Sequence, residues 1–101
     1  MPFHLSDFLS SVIKGRVERE PYNKSDEFFL QLEESLPIEG VRVKINDYYK
    51  SLKYEKVKDE PNYQLFRIVR GNTEEDVEIK IDRVLDDMKY KIQVECSGGI
   101  I

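Results

Sequence analysis

The chain has 101 residues, a mass of 12.0 kDa and a formal net charge of −4 at pH 7. Its 40% hydrophobic and 36% charged residues allow one hydrophobic core, read as a single α+β domain over 1–101, and exclude a disordered chain. No apolar run reaches five residues, which excludes a membrane-spanning helix, and the single Cys96 and single His4 exclude an intrachain disulfide, a Cys-rich zinc site and two-histidine metal motifs.

Residues 3–18 carry Leu5, Phe8, Leu9, Val12, Ile13 and Arg16 at spacings of three and four, which predicts a helix. Ser6 and Asp7 suit its start, and Pro21 stops it from running on. Residues 26–35 read as a second helix. Ser25 is its cap, Phe28, Phe29, Leu32 and Leu36 form its stripe, and Pro37 forms its end.

The period changes near residue 40. Val41, Val43 and Ile45 alternate with Arg42 and Lys44, the pattern of a half-buried strand. Residues 48–58 fit two turns of helix or a strand, and the reading adopted is a short turn followed by a strand from about 51 to 58. Pro61-Asn62 is turn chemistry. Strands follow over 63–70, 77–82 and 88–96, separated by the polar stretch 71–75 and by Asp86-Asp87. Short turns force antiparallel neighbours. The expected architecture is α+β, two N-terminal helices packed on one face of a four- to five-stranded antiparallel meander sheet.

Charge is segregated. Residues 1–39 and 71–101 are each net −4, and residues 40–70 are net +4. In the middle block Arg42, Lys44, Lys50, Lys53 and Lys56 interleave with Tyr49 and Tyr54, the residue types that neutralise phosphates and stack on unpaired bases. These seven are the candidate binding residues for single-stranded nucleic acid or RNA. The acidic whole, with a pI near 5.1, works against that partner at long range. Paired cations on the wet side of a sheet are the simpler reading. Segregated charge also suits self-association as a homodimer, through the last strand if it lies at an edge.

No catalytic set is visible. His4 has Asp7 three residues on but no nucleophile beside it. Cys96 alternates with Ile92 and Val94 and reads as a buried small hydrophobe. Asp82, Asp86, Asp87, Glu74, Glu75 and Asp76 lack calcium-loop spacing, and Gly98-Gly99 opens no phosphate loop. No metal and no cofactor is expected. Six Tyr and five Phe can line a pocket for a small apolar ligand, or simply fill the core. The functional expectation is a non-enzymatic binding module acting on a protein partner or on itself. Nucleic-acid binding and small-ligand carriage are the alternatives. With no secretory signal and one unpaired cysteine, the expected location is the cytoplasm. Lys/Glu enrichment without Ala or Trp fits a thermophile and an AT-rich genome alike.

Overall fold

The computed structural model describes residues 4–19 and 26–100. The protein is α+β, and the described residues form two helices and one six-stranded antiparallel sheet. Helix α1 is Leu5–Val12, followed by β1 (Gly15–Glu18) and β2 (Asp26–Leu32). Helix α2 is Ile38–Ser51, followed by β3 (Glu55–Glu60), β4 (Tyr63–Arg70), β5 (Thr73–Leu85) and β6 (Lys89–Ile100). The strand order is β1-β2-β6-β5-β4-β3. Residues 55–100 form a meander, and its last strand closes back on the first hairpin. Strand β3 starts at Glu55 instead of near residue 51 because α2 runs to Ser51, and β5 and β6 are longer than the expected 77–82 and 88–96.

The expectations for the N-terminal half are corrected. The two helices are not consecutive, because a β-hairpin separates them, and the strands number six. The segment read as one helix over 3–18 is helical only to Val12 and is strand β1 from Gly15. A Cβ on Gly15 would lie 2.4 Å from the Gln31 carbonyl oxygen, so β1 and β2 approach closer than a side chain allows. The stripe read as a helix over 26–35 is strand β2. Phe28, Leu30 and Leu32 alternate inward, and register with β6 pairs Phe28 with Ile92 and Leu30 with Tyr90. Pro21 and Ser25 lie outside the described residues.

The run read as a strand over 41–45 is the first half of α2. Ile38, Val41, Ile45, Tyr48, Tyr49 and Leu52 follow the helical period and face the core, while Val43 is 56% exposed. Pro37 opens this helix instead of closing the preceding segment. Its fixed φ of −62° suits the position, and its carbonyl accepts from the Gly40 and Val41 N–H groups. Likewise His4, not Ser6, precedes the first turn of α1, and Ser6 is buried within the helix.

The core lies between both helices and one face of the sheet. Positions 28, 30 and 32 of β2, 90 and 92 of β6, 77, 79 and 81 of β5 and 66 of β4 are all buried on that face, and α1 adds Leu5 and Leu9. Helices on one face is therefore the correct layer arrangement. Strand β6 runs between β2 and β5, so its N-terminal half has no free edge for pairing with another chain. On the other sheet face, ion pairs such as Lys91–Glu27 (3.3 Å) and Arg67–Asp76 (2.8 Å) join neighbouring strands.

Candidate functional site

The site follows from unequal element lengths. Thirteen-residue β5 spans about 40 Å at strand rise, whereas fourteen-residue α2 spans about 20 Å at helical rise. The sheet therefore outruns the helix. Where α2 stops, the inward face of β5 and β6 changes character. Ile79, Ile81 and Ile92 give way to Val77, Glu75 and Cys96, with Val77 opposite Cys96 in register. A cavity of about 200 Å³ opens there, between the start of α1, the end of α2 and the sheet.

Its walls combine an apolar part (Leu5, Phe28, Leu52, Val77 and Val94) with polar groups from several elements. Arg19 reaches in from the segment after β1. Its Nη2 donates to the Ser6 hydroxyl oxygen at 3.2 Å, and its guanidinium lies 5.5 Å from the centre of the Phe28 ring. Tyr48, Tyr49 and Tyr54 enter from the end of α2, and Glu75 from β5.

The tyrosines are set by the way α2 ends. Lys53 adopts φ of 73°, the left-handed conformation that closes many helices. The Tyr54 N–H then donates to the Tyr49 carbonyl at 3.0 Å and the Lys53 N–H to the Lys50 carbonyl at 3.0 Å. This six-to-one and five-to-two pair is a Schellman motif. It turns Tyr54 back against Tyr49, ring centroids 5.3 Å apart and edge to face. Tyr49 itself stacks on Phe66 at 4.7 Å, and Tyr48 meets Phe8 of α1 at 5.2 Å. The aromatic chain thus runs from α1 across α2 to the sheet.

Burial, and then the neighbouring Glu75 carboxylate that accepts its hydrogen bond, push the Tyr54 hydroxyl up to about 12. Burial, reinforced by Asp7, raises Tyr48 as well. Both are protonated hydrogen-bond donors at neutral pH. Glu75 also lies 3.8 Å from Arg70.

The seven residues singled out from the basic segment do not form one surface. Tyr49 is 5% exposed and packs in the core, and Tyr54 is half-buried against the cavity, so neither ring faces outward to receive a base. Arg42 projects from α2 and is held by Asp59 of β3 and by Glu39 at 2.8 Å. Lys56 pairs with the same Asp59 at 2.9 Å. Lys53 closes the helix. Lys44 sits on α2 near the opposite end of the core, beside Val12, Leu32 and Leu36, and Lys50 is exposed in the last turn of α2. What unites Arg42, Lys56 and Asp59 is the attachment of edge strand β3 to the helix.

Cys96 is exposed at the cavity wall, contrary to the buried position expected from alternation. It lies on the inward face as predicted, but past the end of the helix that would have covered it. Sequence reasoning also missed Arg19, Ser6, Phe28 and Glu75 as site residues. Phe28 and Glu75 carried the signal of inward alternation on strands, which for Phe28 needed β2 to be recognised as a strand, and Ser6 and Arg19 carried none. Among the described residues no cluster of His, Cys, Asp and Glu is arranged to hold a metal ion, and no helix is long and apolar enough to cross a membrane. No protein-family model, curated protein or solved structure matches the chain.

Proposed function

We propose that the protein is a non-enzymatic binding module whose ligand is a small molecule seated in the cavity at the end of α2. The observation that carries this reading is the lining: five apolar side chains and a convergent set of polar groups around one concave space. Small-ligand carriage, the lesser alternative from sequence, moves ahead of a protein partner on this ground. An engineered apolar cavity of about 150 Å³ accepts benzene. A space of about 200 Å³ therefore suits a single ring bearing one small substituent. The Tyr48 and Tyr54 hydroxyls, protonated at neutral pH, are poor bases, which favours holding a ligand over transforming it.

A thermal-shift titration with single-ring compounds such as benzyl alcohol tests this. Saturable stabilisation is expected, because a ligand that binds only the native state raises the melting temperature. Val94→Phe places a ring inside the cavity from a half-buried position. It is expected to leave the protein folded and abolish the shift. An unchanged shift in that variant would place the ligand elsewhere.

A further inference from the structure

Arg19 gives this cavity a charge preference. Its guanidinium is held at the wall by two contacts, one to the neutral Ser6 hydroxyl at 3.2 Å and one to the face of Phe28 at 5.5 Å. Neither neutralises it, and among the described residues no carboxylate lies in ion-pair range of it. A guanidinium has five N–H donors, and one is used among the described residues. The remaining donors form a planar fork suited to a carboxylate. Ser6 is 7% exposed and lines the same space, so its hydroxyl proton is available to the same ligand oxygen.

Among the described residues that line the cavity, one carries the opposing charge. Glu75 lines the wall, but it is engaged by the Tyr54 hydroxyl and by Arg70 at 3.8 Å. Glu75 is thus paired, whereas the Arg19 guanidinium keeps donors turned to the cavity. Behind the guanidinium lies the apolar wall of Leu5, Phe28, Val77 and Val94, with room for one ring.

We infer that the ligand of this cavity is a monocyclic carboxylate, its ring against Phe28, Val77 and Val94 and its carboxylate on the Arg19 fork beside Ser6. The inference rests on the small-molecule reading above and adds the sign of the ligand's charge and the residue that selects it. It makes Arg19 the specificity-determining residue. Tyr54 and Glu75 then form a neutral-side wall that accepts no second anion.

The experiment is a calorimetric titration of the whole chain with three ring compounds of similar size: benzoate, benzyl alcohol and benzamidine. Each is repeated in Arg19→Gln and Arg19→Lys. Arg19 is exposed, so neither substitution threatens the fold. Benzoate is expected to bind about tenfold tighter than benzyl alcohol, the margin of a charge-assisted bidentate contact over a neutral one. Arg19→Gln removes that margin, so that benzoate and benzyl alcohol bind the variant alike, and Arg19→Lys keeps part of it. Benzoate binding no tighter than benzyl alcohol, or a margin that survives Arg19→Gln, overturns the charge assignment and leaves the small-molecule reading standing. Benzamidine binding best overturns it in favour of Glu75 as the selecting group. If none of the three binds, the small-molecule reading falls and the charge assignment falls with it.

Discussion

Tyr54 packs edge to face on Tyr49 because Lys53, between the end of α2 and Tyr54, takes a left-handed conformation, at φ of 73°. One backbone reversal thus ends α2, satisfies the carbonyls of Tyr49 and Lys50 and delivers an aromatic hydroxyl to the cavity wall. Helix capping and site geometry are the same feature. A lysine at this position is strained, because the side chain's Cβ meets the following carbonyl in the left-handed region. Lys53→Gly is expected to raise unfolding free energy by about 1 kcal/mol. Urea denaturation measures it. A destabilisation would show that the Lys53 side chain contributes more than its backbone costs.

The raised Tyr54 hydroxyl gives a pH dependence of known sign. Its folded pKa of about 12 lies above the ordinary tyrosine value of 10. The unfolded chain therefore loses this proton first as pH rises. The associated stability is complete below about pH 10 and is lost as pH climbs toward 12. Tyr54→Phe is expected to flatten stability over that interval and to remove the last phenolic step in an ultraviolet titration. A phenolic step near 12 that persists in the variant would assign it to another tyrosine.

The attachment of β3 to α2 carries the opposite sign. The hydrogen bond from Arg42, and then that from Lys56, holds the Asp59 carboxyl below its ordinary value. Its stabilisation is present above the ordinary carboxylate pKa of about 3.9 and is lost as pH falls through the depressed folded value. Asp59 is 30% and Arg42 14% exposed, so solvent screening keeps the effect modest. Asp59→Asn is expected to lower stability at pH 7 by about 1 kcal/mol and to flatten the acid limb of the stability curve. An acid limb identical to that of the original chain would exclude this pair as a source of acid sensitivity.

The C-terminal half of the fold was legible in the sequence because its strands are bounded by unambiguous turns and half-buried. The alternation read over 63–70, 77–82 and 88–96 lies within Tyr63–Arg70, Thr73–Leu85 and Lys89–Ile100, with Pro61-Asn62 and Gly71-Asn72 at the reversals. By contrast, the ends of the last two strands, 73–76 and 97–100, pair with each other without alternating and were not read as strand. The N-terminal half was not, because two segments satisfy both periods. In β2, Phe28 and Leu32 stand four apart as on a helix, yet Phe28, Leu30 and Leu32 also stand two apart. The partner that decides, Ile92 and Tyr90 of β6, is over fifty residues away. In α2, Val41, Val43 and Ile45 mimic a strand over five residues, and only the longer series from Ile38 to Leu52 reveals the helix. Pro37 fits the end of one element and the start of another equally well. The site was hidden for a related reason. Arg19, Phe28 and Glu75 come from three elements whose proximity depends on the sheet order, which local patterns do not encode. The charge segregation was real, but tertiary pairing of Arg42 and Lys56 with Asp59 turned part of it into a structural brace.

The most direct measurement is a methyl-resolved NMR titration of the intact protein with benzyl alcohol. Occupation of the cavity shifts the Leu5, Leu52, Val77 and Val94 methyls along saturable curves, while Leu30 and Ile81, buried in the core and absent from the cavity wall, stay in place. Shifts spread evenly over all methyls, or none at ligand concentrations of several millimolar (the upper end of weak binding, roughly 4 kcal/mol), would contradict a ligand site at the end of α2.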